Sequence, residues 1–430
     1  MLRPRQSLAY GLAAWLAVAG LALLAWLAVA GMSLAEPAAA SDEAPRQVLV
    51  MLRLQPEHAR PNADYGGSYG GGVERAARHR IAARLARRYG LVLEDDWPMP
   101  LMGVDCFIMN VPADRSPADV ADRLSHEPDV AWSEPMNVYR AQGASVGASA
   151  GAAATHNDPL YPVQPAAREW RLAALHQLAT GRNVRVAVID SMVEATHPDL
   201  AGQIAISRDF VTGRPAMSER HGTGVAGVIA ARADNGLGIA GVAPGARLMA
   251  LRACWQEASA SDRPAATLCD SLGLAKALDF AISHDAQVIN LSLSGPSDTL
   301  LGKLIDAAQT RHITVVGAFD RDAAGGGFPA SHPGVVAVAD ESSGPAPAGV
   351  YAAPGRDVPT TTPGGHWALV NGSSFAAAHV SGLIALLREH RTSAGAPLQL
   401  VSASAGGGAI DACATLGCAR LTEAAASSGR

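Results

Sequence analysis

Three short motifs contain the residue types from which an activated nucleophile can be built. Asp190 ends the run VRVAVID and opens DSMVEATHPDL, His221 opens HGTGVAGVIAA, and Ser374 lies in NGSSFAAAHVSGLIALL at the start of a long apolar stretch. A serine hydroxyl is a weak nucleophile until a neighbouring base takes its proton, and a carboxylate can hold a histidine in the tautomer that does so. Singly, each motif also has a plain structural reading. Asp190 could cap a turn, His221 could be a satisfied polar residue at a helix start, and Ser374 could be an N-cap.

The segment that carries them has a texture that predicts how they are held. Apolar runs at 184–190, 247–254, 287–293, 313–319 and 335–340 alternate with helical stretches. Continuous β-branched runs of this kind predict a parallel sheet covered on both faces, in one α/β domain over 157–430. Residues 46–141 read differently. RQVLVMLRL at 46–54 alternates as a strand, Val73 to Tyr89 has one apolar face with Gly90 as its stop, and 104–113 predicts a second strand. Ser116 and Pro117 open a second helix, and a last strand runs near Val130 to Tyr139. These predict a compact α+β unit with two helices on a small sheet. Between the two regions, 142–156 is small and polar, the composition of a flexible linker and of a site for proteolytic cutting.

Composition narrows the function classes. A net charge of −5 over 430 residues leaves no basic stripe for nucleic acid. Arg3 and Arg5 precede an uncharged apolar stretch from Gln6 to Ala35, so residues 1–40 read as an export signal or as a retained membrane anchor, and both take the rest of the chain out of the cytoplasm. Cys254 with Cys269 and Cys413 with Cys418 read as local disulfides of an oxidising compartment, leaving Cys106 unpaired. No cysteine pair has zinc-ligand spacing with histidines.

Aspartate, histidine and serine in that chain order, each in its extended motif, resemble the subtilisin-like serine proteases (peptidase S8). The resemblance extends through NDPLYP, GIAGVAPGA and VINLSLSGP and covers most of residues 155–390. It implies an α/β parallel-sheet catalytic domain and a serine endopeptidase acting on polypeptides through an acyl-enzyme on Ser374, with His221 as base and Asp190 as its partner. It implies that Ser292, Leu293 and Ser294 pair with an extended substrate, that Gly372 lets the substrate backbone approach, and that no cofactor is needed for the chemistry. An esterase is disfavoured, because Ser374 lacks the G-x-S-x-G elbow and the triad order differs.

The resemblance also implies that 46–141 is an inhibitory prodomain of βαββαβ, ferredoxin-like form (I9 type), an intramolecular partner removed from an inhibited precursor. Asp158, Asp199 and Asn235 resemble family positions that bind calcium, although the aspartates read equally as turn caps. Three departures stand out. Phe319-Asp320 replaces a glycine–asparagine pair, putting Asp320 beside Ser374 where the family has an oxyanion donor, and putting Phe319 in a specificity pocket that it would make shallow or close. Met192 and Ala378 replace a glycine and a proline. The Phe319-Asp320 departure motivates the competing reading, a catalytically weak or inactive binding protein on the same fold.

Overall fold

The computed structural model describes residues 45–53, 70–146, 156–257, 266–390, 399–404 and 407–417. The leader expected over 1–40 lies outside them, as does most of the linker. Among the described residues, no helix is long and apolar enough to cross a membrane.

The first sheet is built from β1 (Gln47–Arg53), β2 (Val92–Met99), β3 (Val104–Asn110) and β4 (Val130–Pro135), in the order β2-β3-β1-β4 with antiparallel neighbours. With α1 (Gly70–Tyr89) and α2 (Pro117–Ser125), this makes the βαββαβ order. Gly90 ends α1 at a left-handed φ of 61°, and Ser116 caps α2 by accepting from the Asp119 N–H. The strand β2 was not among the expected elements. It is the sheet's edge, half exposed and carrying Asp95, Asp96 and Pro98, so it lacks the alternation of a half-buried strand.

The strand β1 is apolar at nearly every position because both of its faces are covered. Val48, Val50 and Leu52 pack with Leu85, Phe107 and Leu124 in the unit's own core. Leu49 and Met51 point the other way and join Leu274, Leu278, Leu300 and Leu304 of the second region. Strand periodicity thus divides one short segment between two cores.

The second region centres on a nine-stranded sheet. Its strands are β7 (Arg185–Asp190), β8 (Ile204–Asp209), β9 (Arg247–Arg252), β12 (Val288–Leu291), β14 (Thr314–Ala318), β15 (Val336–Asp340), β16 (Tyr351–Ala353), β19 (Ser402–Ser404) and β20 (Gly407–Ile410). Their order is β19-β20-β16-β15-β14-β12-β7-β9-β8, parallel except for β19 at one edge. The five expected runs supply β7, β9, β12, β14 and β15. Helices α3 (Arg220–Ala230) and α6 (Ser373–His390) join the core on one face, and α4 (Ser271–Ser283) with α5 (Thr299–Thr310) joins the core on the other. Strand order reverses between β7 and β12, and in such sheets the crevice at the carboxyl ends of the strands there is the place for a ligand.

Two smaller sheets complete the arrangement. The strand expected near Val130 to Tyr139 breaks after Pro135, and its continuation β5 (Val138–Ala141) leaves the first sheet. It lies between β11 (Thr267–Asp270) and β13 (Leu293–Ser294), with β10 (Cys254–Gln256) beyond β11. The expected linker also starts with structure. Ala144–Val146 forms β6, which pairs antiparallel with β18 (His366–Asn371), itself paired with β17 (Val358–Thr362). Its backbone groups find partners on a neighbouring strand, which a reading of composition alone does not reveal.

Candidate active site

Asp190 is the last residue of β7, at the carboxyl end of the sheet, and His221 is the second residue of α3. Both carboxylate oxygens of Asp190 accept from the ring of His221, at 2.8 and 3.0 Å from Nδ1. An ionised carboxylate only accepts, so Nδ1 carries the proton and Nε2 keeps its lone pair. That Nε2 is buried and has no hydrogen-bond partner. The helix that carries His221 is held tightly. Thr360 and Thr361 of β17 donate to the carbonyls of Gly224 and Thr223, at 2.6 and 2.7 Å. The close approach needs a glycine at 227, where a β-carbon would collide with Thr361 Oγ1.

Ser374 lies in the first turn of α6, preceded by Gly372 at φ 129°. Its hydroxyl donates to the Ser292 carbonyl at 2.9 Å and not to His221 Nε2. A buried relay fixes this helix to the sheet. Ser381 donates to Asn290, Asn290 to Ser292 Oγ, and Ser292 to the Ser374 carbonyl, each at 2.9 Å. Sequence reading missed Asn290 and Ser381. Their signal was a polar residue inside the otherwise apolar run VINL and another on an apolar helix, since such groups are buried only with partners.

Over Ser374 lies the chain's own segment. The strand β5 pairs antiparallel with β11 and β13, Arg140 opposite both Leu268 and Ser294, and Ala141 opposite Leu293. Gln142 follows, its N–H pointing to the Ser292 carbonyl at 3.4 Å and to Ser374 Oγ at 3.0 Å. Its carbonyl accepts from the Ser374 N–H at 3.0 Å. A β-carbon at Gly372 would collide with that carbonyl, which explains the glycine. The backbone N–H at the start of α6 therefore faces the oxygen on which negative charge would develop if Ser374 attacked Gln142. Ser292, Leu293, Ser294 and Gln142 thus gather around Ser374, and the His221 ring lies 5.6 Å by centroid from that of the next residue, Phe375. Gln142 and Gly143 went unnoticed in the sequence because no periodicity or charge marks them.

Asp320 also reaches this cleft. Its Oδ2 accepts from Gln142 Nε2 at 3.3 Å and its Oδ1 from the Asp322 N–H at 3.0 Å. Phe319 does not close the pocket. A cavity of about 540 Å³ remains, lined by Gln142, Phe319, Asp320, Asp340, Arg356 and Ser373 among others. The Phe319 ring lies over Gly326, where a β-carbon would clash with it, so a second glycine makes room. Met192 takes no left-handed φ, and Ala378 is buried within α6.

The residues expected around calcium come together, but their oxygens face hydrogen-bond donors. Asp199 Oδ1 accepts from Asn235 Nδ2 at 2.8 Å, and Oδ2 accepts from the Ile239 N–H at 3.0 Å and from Trp367 Nε1 at 2.8 Å. Asp158 accepts from the Asp234 and Asn235 N–H groups at 2.9 and 3.2 Å. The Asn235 amide cannot turn its oxygen toward Asp199, because that oxygen accepts from the Leu237 N–H at 2.8 Å. A calcium ion needs oxygens facing it, so this arrangement does not fit one. Burial holds the Asp199 carboxyl above its ordinary value despite these donors. Beside it, His156, Asp158 and Asp234 bring one ligand-type atom each within 4.8 Å of one another, with His156 already bonded to Asp234 at 3.0 Å.

Cys254 and Cys269 face each other on β10 and β11 and are disulfide-bonded, while Cys106 is free and buried. Cys413 is disulfide-bonded, and Cys418, the partner expected for it, lies outside the described residues.

Residues 181–403 match the subtilase family of peptidase S8. Subtilisin E of Bacillus subtilis is 36% identical over 244 residues, 51% of this chain and 59% of that protein. The subtilisin of Bacillus pumilus is 35% identical over 244 residues and matched over 82% of its length. The chain thus spans 59% of the length of several of these relatives, subtilisin E among them. Among solved structures, fervidolysin from Fervidobacterium pennivorans, a keratinolytic enzyme related to subtilisin, superposes with a TM-score of 0.59. That match is 22% identical over 81% of this chain and 55% of the other, a likeness of fold. With the family matched across the region that holds Asp190, His221 and Ser374, this chain belongs to the subtilases.

Proposed function

We propose that this protein is a serine endopeptidase made as an inhibited precursor, and that the bond it first cuts is its own Gln142–Gly143. The observation that carries the reading is the Gln142 carbonyl, 3.0 Å from the Ser374 N–H, on a strand inserted between β11 and β13. Peptide recognition by strand addition puts backbone hydrogen bonds on both edges of a substrate and holds its carbonyl against the nucleophile. In the reaction, His221 Nε2 takes the Ser374 proton as Oγ adds to the Gln142 carbonyl, and Asp190 stabilises the imidazolium. His221 then gives the proton to the Gly143 amine, and water releases the acyl group by the same steps in reverse. After cutting, the N-terminal fragment ending at Gln142 remains as an inhibitor seated in the cleft, and other polypeptides enter once it leaves.

Export from the cytoplasm rests on the leader sequence, and a disulfide between β10 and β11 suits an oxidising compartment. The competing reading, a weak or inactive member, draws on Asp320, whose carboxylate accepts on both oxygens where a donor was expected. Expression of the whole chain and of Ser374→Ala in a protease-free host tests the proposal. The native chain should yield a fragment beginning at Gly143 and label at Ser374 with a fluorophosphonate, and the variant should stay whole. A variant cut at the same bond removes the self-processing claim, and absence of labelling favours the inactive reading.

A further inference from the structure

The residue after the proposed cut meets a wall. A β-carbon on Gly143 would lie 2.7 Å from Phe375 Cε2 and 3.0 Å from the Asn371 carbonyl oxygen. The first distance is well inside carbon–carbon contact, and the second partner is backbone, which cannot swing away. Nor can Phe375 retreat. Its side chain is buried, and its ring centroid lies 5.6 Å from that of His221. Its other edge faces α3, where a β-carbon on Gly224 would come within 3.3 Å of Cε1. Gly143 is not among the residues with left-handed φ, so the position requires space and not glycine's backbone freedom. On the other side of the bond, the Gln142 side chain offers an N–H to Asp320 Oδ2 at 3.3 Å inside an open cavity of about 540 Å³. The side chain at 142 thus has room, whereas a β-carbon at 143 is directed at Phe375 and the Asn371 carbonyl, although Gly143 itself borders the same cavity.

From this we infer that Phe375 determines specificity by admitting only glycine after the scissile bond, with glutamine before it matched by Asp320. The substrates are then polypeptides cut at glutamine–glycine bonds. This rests on the endopeptidase reading above. An added methyl group must displace a packed ring beside the catalytic histidine or pull the bond away from Ser374, and overpacking or misplacement of that size costs on the order of tenfold to a hundredfold in rate.

The test uses the enzyme produced by the whole chain and two peptides, VYRAQGAS (residues 138–145) and its counterpart with alanine in place of the glycine. The expected result is a kcat/KM lower by on the order of tenfold to a hundredfold for the alanine peptide. Phe375→Ala should bring the two rates close together. A precursor carrying only Gly143→Ala, which leaves the enzyme's own walls intact, should cut between 142 and 143 more slowly by on the order of tenfold to a hundredfold and covers the case in which Phe375→Ala does not fold. Equal rates for the two peptides with the native enzyme overturn the inference, and so does normal cutting of the Gly143→Ala precursor. Fluorophosphonate labelling of Ser374 separates the two levels of failure. A labelled enzyme that shows no preference loses only the glycine requirement, whereas an unlabelled one that cuts neither peptide loses the endopeptidase reading as well.

Discussion

Two aspartates in one motif, Asp190 and Asp199, are both buried and both accept hydrogen bonds on each oxygen, yet their surroundings have opposite effects. Asp190 spends its oxygens on a ring that keeps a second nitrogen free, so the pair retains an unused lone pair at His221 Nε2. Asp199 is surrounded by Asn235, Ile239 and Trp367, whose N–H groups end the chain of interactions there. The first environment leaves a nitrogen lone pair without a partner, and the second closes a loop. The difference lies in whether the donor on the carboxylate has anything left to offer, not in the depth of burial.

Asp190→Asn is the sharpest way to break that comparison. An amide can present a donor to Nδ1, which places the histidine proton on Nε2 and removes the base. Turnover should fall by about 10⁴-fold with the fold intact, measured as kcat on a peptide substrate and as melting temperature. A loss of stability with little loss of kcat would mean that Asp190 belongs with Asp199, as a loop-closing group.

Glu134 is a third buried carboxyl, and it titrates. It accepts from the Thr299 and Leu300 N–H groups at the start of α5, at 2.9 and 3.0 Å. Burial, with a contribution from neighbouring Asp298, raises it from 4.5 to about 7. Separation of the N-terminal unit returns Glu134 to water and to its ordinary value. The assembled state therefore binds more protons between pH 4.5 and 7, and assembly weakens as pH rises through that window and levels off above it. Dissociation of the cut N-terminal unit, followed as release of activity, should gain on the order of a hundredfold across the window from this residue. Glu134→Gln should flatten the profile, and an unchanged profile would remove Glu134 as the cause.

Trp367→Phe tests the other half of the comparison. It deletes one donor to Asp199 and leaves a buried carboxylate oxygen with a partner fewer, at about 1–3 kcal/mol. The melting temperature should drop, and a chelator should leave the native protein's melting temperature unchanged. A chelator-induced drop in the native protein would show that a cation does bind this loop and that the donors rearrange to admit it.

The parallel sheet was readable because its strands are buried on both faces, which writes β-branched runs such as VRVAVID and ITVVGAF into the chain. The α+β unit was readable in part. Gly90 and Ser116 mark their helix ends, whereas β2 is an exposed edge with no pattern to read. The three motif residues announced themselves by type and chain order, and His221 and Ser374 also by flanking glycines. Gln142, Gly143 and Trp367 did not, since each acts through a partner far along the chain, and such pairings have no local signature. The expected calcium ligands illustrate the same limit from the other side. Asp158, Asp199 and Asn235 share one hydrogen-bonded loop cluster, but the donor that helps to close it, Trp367, comes from β18.

Asp320 remains as the smallest and most specific test. Both of its oxygens accept, one from Asp322 N–H and one from the Gln142 side chain, while the Ser374 N–H donates to the Gln142 carbonyl. A tetrahedral intermediate at Gln142 develops charge on that carbonyl oxygen and gains from each added donor. Asp320→Asn leaves an oxygen to accept from Asp322 and adds an NH₂ that can turn toward the oxyanion. Loss of one such donor in this class of site costs about 10²–10³-fold, so supplying one should raise kcat, by on the order of tenfold where the amide must also swing away from the substrate side chain. Comparing peptides with glutamine and with alanine before the cut tells which role the native carboxylate plays. If the substitution raises kcat equally for both, Asp320 acts on the carbonyl. If kcat is unchanged and the preference for glutamine falls, Asp320 reads only the side chain, and the oxyanion is stabilised without it.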